Sequence, residues 1–196
     1  MTRIQPLPFG EWDLDALAVV GPGRQLGPSN ALGLFANHPA LAKAFLRYNG
    51  YLLGRDSTIP PHTRELAILR VAWRRRCRYE WAQHVRIARR AGVTDAEIAM
   101  VRAGSGAGTV VGSGAGAGDS AGHEITALII TAVDELDANS GLSDATYQAL
   151  ADKFDDRQLM DLVFTIGTYG LLAAAFNTFG VELEPGLPDG DFEKGT

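Results

Sequence analysis

Arg64-Glu65-Leu66-Ala67-Ile68-Leu69-Arg70-Val71-Ala72-Trp73-Arg74-Arg75-Arg76-Cys77-Arg78-Tyr79-Glu80-Trp81-Ala82-Gln83-His84 is the stretch whose reading decides the fold. Leu66, Ile68, Leu69, Val71 and Trp73 recur as one apolar side of a helix. That helix opens at Pro60-Pro61, because proline suits a first helical turn, where its missing N–H costs nothing. A second helix is expected from about Tyr79 to Ala91, stopping at Gly92 as its C′ glycine. Cys77, Glu80 and His84 are spaced i, i+3, i+7, which puts all three on one face over two turns. Trp81, Val85 and Ala88 lie near that face, so it looks into the protein.

Outward from this centre the helical reading continues. Leu41, Phe45, Leu46, Tyr48 and Leu52 recur at intervals of three and four from Pro39 onward, and Gly54-Arg55-Asp56-Ser57 breaks the pattern. Thr94 and Glu97 have capping-box spacing and start a short helix ending near Arg102. Further helices are expected at about His123 to Leu136, from Ser143 onward, and at Asp156 to Phe179 with Gly180 as the stop. No segment alternates convincingly between apolar and polar residues, so the fold class expected is all-α, a bundle with short turns.

Residues 1–38 read as an irregular arm with one short helix near Asp13 to Val19. Its apolar Phe9, Trp12, Leu14 and Leu17 suit packing on something, a partner subunit being one candidate. Residues 39–183 form the helical domain, interrupted at 104–122 by a Gly/Ala/Ser-rich loop. Residues 184–196 read as a flexible acidic tail.

The chain has 196 residues, 46% apolar and 21% charged, enough for a single domain with a sizeable core. A net charge of −5 gives no basic footprint for nucleic acid. No apolar run is read as a bilayer span, and the start has no signal-like core, so a cytoplasmic protein with no membrane partner is expected. The lone Cys77 excludes an intramolecular disulfide, a CxxC pair and a cysteine-rich zinc site. His62 and His123 have no metal-ligand spacing with His84, so no metal is expected. The segment from Val110 to Ala117 touches a GxGxxA dinucleotide pattern, but the βαβ unit that gives this pattern meaning is missing.

Several readings of the central residues stand side by side. Burial raises a carboxylic acid's pKa, so Glu80 and His84 can share a proton near neutrality, or they can be a surface ion pair. Arg74, Arg75, Arg76 and Arg78 with a helix start would favour a Cys77 thiolate, or they can be a solvated junction around inert packing.

Arg64-Glu65-Leu66, then Tyr79-Glu80-Trp81-Ala82-Gln83-His84, then Gly92-Val93-Thr94-Asp95-Ala96-Glu97-Ile98 together resemble the signature of the carboxymuconolactone decarboxylase family, over about residues 39–183. The resemblance implies an AhpD-like helical bundle that assembles as a dimer, trimer or hexamer. It implies Glu65 as a relay glutamate, Cys77 as the first cysteine and His84 as the relay histidine. Glu80 stands where the peroxidase branch has its second cysteine, and dithiol turnover needs both thiols.

The function expected is therefore cofactor-independent acid/base catalysis, decarboxylation first, on a small carboxylated cyclic or lactone-like substrate. Glu65, Cys77, Glu80 and His84 are the candidate catalytic residues. His84 is the acid/base, Glu80 its partner and Glu65 the orienting residue. Arg64 or Arg70 is expected to hold the substrate carboxylate, and Tyr169 and Asn177 to close the pocket. The alternatives are a thiol peroxidase or reductase using Cys77 with an external or inter-subunit resolver, and a non-catalytic oligomer.

Overall fold

The computed structural model describes residues 1–17, 28–105 and 117–193. Among these the elements are a 3-10 turn at Phe9–Glu11 and helices α1 (Leu14–Leu17), α2 (Asn30–Ala36), α3 (Pro39–Leu53), α4 (Pro61–Arg74), α5 (Arg78–Arg90), α6 (Asp95–Ala103), α7 (Ala117–Asn139), α8 (Asp144–Ala151) and α9 (Asp156–Phe179). No strand occurs among the described residues. The dinucleotide-like pattern expected to be meaningless lies mostly outside them.

α4 is the axis of the bundle. Every residue from Thr63 to Trp73 is buried, and α5, α6, α7 and α9 pack around it. A helix buried on all sides must satisfy its charges internally. Arg70 does so with a fork to Asp134 of α7, Nε to Oδ1 at 2.7 Å and Nη2 to Oδ2 at 2.9 Å, while Nη1 donates to the Val101 carbonyl. Gly104 follows α6 at φ 84°, and a Cβ there would run into the Arg70 guanidinium.

The expected start and stop signals act locally as chemistry dictates. The α4–α5 turn places Arg76 at φ 54°, and Cys77 caps α5. α5 ends in a Schellman motif, with Val93 N–H on Ala88 O at 2.9 Å and Gly92 at φ 91°. Thr94 and Glu97 form the expected capping box, and Asp155 with Gln158 forms another at α9. α9 stops at Gly180 in the left-handed region, φ 68°. The Met1 carbonyl lies against Gly180, so a side chain has no room there.

Several expectations need correction. The amino-terminal arm is less irregular than its Gly and Pro content suggests, because Ser29 caps α2 by accepting from Leu32 N–H. It also packs on its own chain: Trp12, Leu17, Ala36, Ala42 and Leu46 form a second small core. The Gly/Ala/Ser-rich segment was expected to run to residue 122, but α7 already begins at Ala117. α9 is, by length and apolarity alone, able to cross a membrane, although no such run was read in the sequence. More than half of its apolar window is buried inside the protein, the place of a core helix.

The tail was expected to be loose, and up to residue 193 it is not. Phe192 is buried against Trp73 and Trp81, and the Trp81 indole N–H donates to Gly190 O at 2.9 Å. An aromatic ring and two tryptophans offset the ordering cost that Pro/Gly-rich composition alone would not.

Candidate functional site

A cavity of about 290 Å³ opens between α2, α3, α5 and α9. α2 and its cap contribute Ser29, Ala31, Leu32 and Phe35. From α3 come Phe45, Leu46, Asn49 and Leu53. The α5 wall is Tyr79, Glu80, Gln83, His84 and Ile87, and α9 closes it with Tyr169, Leu172 and Phe176. The lining is mainly apolar, with a few polar groups converging, the usual composition of a small-molecule site.

His84 is held by a residue of another helix. Its Nδ1 lies 2.7 Å from Oε2 of Glu65, which α4 buries almost completely. The Tyr169 ring meets the imidazole edge-on, with centroids 4.9 Å apart. With Nδ1–H donated to Glu65, Nε2 is the ring nitrogen left for the pocket side. The sequence-based pairing of His84 with Glu80 is thereby corrected: the imidazole's carboxyl partner is Glu65. The family resemblance pointed at Glu65, but local spacing could not, because the two residues sit on different helices.

Glu80 is in a different situation. Both of its carboxyl oxygens are buried without a hydrogen-bond partner among the described residues. Burial pushes its pKa from the ordinary 4.5 up to about 8, with the Cys77 side chain only partly opposing this. At neutral pH the carboxyl is therefore mostly protonated and can donate a hydrogen bond.

Cys77 is fully buried and does not line the cavity. Burial, joined by the nearby Glu80 carboxylate, pushes its thiol well above the usual range. The expected arginine activation is absent because those arginines are engaged elsewhere. Arg74 and Arg75 pair with Asp137, Arg78 pairs with Asp189 and Glu193, and Arg76 lies over the Trp73 and Phe192 rings.

The proposed carboxylate-binding residues are also placed elsewhere. Arg70 is consumed by Asp134 and Val101. Arg64 donates from Nη1 to Leu52 O at 3.3 Å, and its Nε stands 3.6 Å from Glu65 Oε1, behind the His84–Glu65 pair. Neither lines the cavity, and among its described lining residues none is Lys or Arg. Tyr169 is in the site as expected. Asn177 is not: it is exposed and donates to the Arg75 carbonyl at 2.8 Å, which helps lock the α4–α5 turn to α9.

Sequence reasoning missed four residues. Asn49 lies on the same α3 face as Phe45, Leu46 and Leu53, and its Oδ1 is buried without a partner among the described residues. A polar residue on an apolar helical face was the available signal. Tyr79 and Gln83 form a network with Glu184: Tyr79 Oη donates to Glu184 Oε1 at 2.6 Å, and Gln83 Nε2 to Oε2 at 2.8 Å. The same Glu184 accepts from Asn30 N–H at 2.7 Å, so one tail carboxylate ties α2 to α5 beside the cavity. Nothing in the sequence placed Glu184 there.

Among the described residues, no three His, Cys, Asp or Glu side chains gather as a metal-binding group. His62 instead lies 3.1 Å from Glu97. Residues 39–109 match the carboxymuconolactone decarboxylase family. No curated protein and no solved structure matches the chain.

Proposed function

We propose, from the match of residues 39–109 to the carboxymuconolactone decarboxylase family, that the chain is an acid/base enzyme moving a proton on a small carbonyl-bearing molecule. The observation that carries this reading is the 2.7 Å His84–Glu65 pair on a cavity wall shared with the buried Glu80. His84 Nε2 removes a proton from the carbon beside the carbonyl. Glu65 stabilises the imidazolium that forms, as a buried carboxylate does for a catalytic histidine. Glu80, protonated at neutral pH, hydrogen-bonds the carbonyl oxygen as negative charge develops there. The proton returns from His84 to the same or a neighbouring carbon.

Decarboxylation uses the same groups with CO2 leaving in place of the proton, its electron pair passing to the oxygen held by Glu80. For this variant the imidazole must enter carrying a proton on Nε2 taken from water, and it gives that proton to the carbon. A substrate carboxylate would meet neither the Arg64 nor the Arg70 guanidinium here, since both are engaged away from the cavity. Proton transfer is accordingly the leading reading and loss of CO2 its variant. A Cys77 peroxidase finds no support in a thiol that is buried and off the cavity. Assembly into a homo-oligomer belongs to the same proposal. It is supported by an exposed apolar stripe on α9, comprising Met160, Val163, Phe164 and Leu171.

The test is deuterium uptake from heavy water into the α-carbons of cyclohexanone and of levulinate, followed by NMR. The wild-type chain should accelerate exchange, and folded His84→Gln and Glu65→Gln variants should lose that acceleration by about 100-fold or more. Exchange persisting at the wild-type rate in His84→Gln would refute the reading.

A further inference from the structure

The cavity's polar groups are unevenly supplied. Glu80 is 2% exposed, lines the cavity, and has two buried carboxyl oxygens without an N–H or O–H partner among the described residues, the weakly donating Cys77 thiol being the side chain beside them. Asn49 Oδ1, on the α3 wall, is likewise closed to solvent and unpartnered among the described residues. A buried polar atom without a partner costs about 1–3 kcal/mol, so such atoms inside a cavity mark where a ligand's polar groups belong. Two separate helices present them to one space. Apart from His84 Nε2, the reacting atom, the other polar groups considered so far in this wall have partners: His84 Nδ1 is on Glu65, and Tyr79 and Gln83 are on Glu184.

Charge narrows the ligand further. Among the described residues no Lys or Arg lines the cavity, and the walls are mostly apolar side chains such as Phe35, Phe45, Leu172 and Phe176. An anion moved there from water loses its hydration and finds no fixed cation among the described lining residues, while Glu80, once ionised, would repel it. An uncharged ring loses little and gains apolar burial.

We propose that this cavity selects a small uncharged cyclic molecule whose hydrogen-bond donor is received by Asn49 Oδ1 and whose acceptor meets Glu80. Asn49 is then a specificity residue for the proton-transfer reaction. The inference rests on the acid/base reading of the same site, whose cyclohexanone arm it favours over the levulinate arm.

Three probes of equal shape separate the terms: benzamide is uncharged with a donor, acetophenone is uncharged without one, and benzoate is charged. Calorimetric titration of the full chain at neutral pH should rank benzamide first and benzoate last, with about tenfold or more between them. Asn49→Leu should bring benzamide down to the affinity of acetophenone and leave acetophenone unchanged. Should that variant not fold, the ranking on the unaltered chain decides alone. Benzoate binding as tightly as benzamide overturns the proposal, as does benzamide failing to bind at millimolar concentration. A failed ranking with persistent deuterium exchange removes this inference only. A ranking that holds in a chain without exchange removes the proton-transfer reading, and with it Asn49's part in that reaction, and leaves the cavity's selectivity standing.

Discussion

Replacing Glu80 by Gln should make the protein's stability less sensitive to rising pH between about 4.5 and 8, and the size of the effect follows from burial. The Glu80 carboxyl has an ordinary pKa of 4.5 when unfolded and about 8 in the folded chain. Its folded pKa is raised, so the folded state holds the proton more tightly than the unfolded one. Below about pH 4.5 both states are protonated and the group contributes no pH-dependent penalty. Between about 4.5 and 8 the unfolded chain releases the proton while the folded chain keeps it, and stability falls by ~1.4 kcal/mol per pH unit. Above about 8 both are ionised and the full penalty remains, on the order of 5 kcal/mol. Because the side chain is 2% exposed, solvent screening removes little of this. Glu80→Gln never ionises. Its own buried amide adds an offset that does not vary with pH. Urea unfolding of both chains from pH 4 to 9 gives the difference in ΔG at each pH. That difference should grow steadily in favour of Glu80→Gln up to about pH 8 and then level off. A difference flat across this range would show that Glu80 titrates as an ordinary carboxylate. The hydrogen-bonding role given to it at neutral pH would then fall.

Three further outcomes are expected. Cys77 should react with iodoacetamide only as fast as the folded chain opens, because its thiol is fully buried and held protonated. Mass spectrometry showing rapid labelling without unfolding would contradict this. Phe192→Ala should destabilise the chain by about 3 kcal/mol, measured by chemical denaturation, because the ring is buried between Trp73 and Trp81. A negligible loss would mean that the tail carries no stability. Leu171→Lys, at a position 60% exposed in the α9 stripe, should shift sedimentation toward monomer without lowering the monomer's helix content. Unchanged assembly would place any interface elsewhere.

What the sequence revealed divides along physical lines. Helix boundaries set by caps were legible because a cap is a local event. Thr94 with Glu97, Ser143 before α8, and Gly180 after α9 each act within a few residues of the end they define. The Glu80–His84 face was legible from period alone, since both side chains ride one helix. The carboxyl that binds His84 was not, because Glu65 reaches it across the α4–α5 contact and no helical period relates the two. The same limit explains the arginines. Arg70 looks available in sequence until α7 brings Asp134 to it, and Arg76 until the tail delivers Phe192. The tail itself misled because composition reports the entropy lost on ordering but says nothing of which rings await it.

The cavity walls come from both inside and outside residues 39–109. His84, Glu80 and Asn49 lie within the matched segment, whereas Leu32, Phe35, Tyr169, Leu172 and Phe176 lie outside it. Part of the cavity's shape thus lies outside the matched segment, while His84 and Glu80 lie within it. A relative could keep the proton-handling groups intact and accept a quite different molecule by exchanging side chains on α2 and α9. A match over residues 39–109 alone is therefore silent on which molecule the cavity admits.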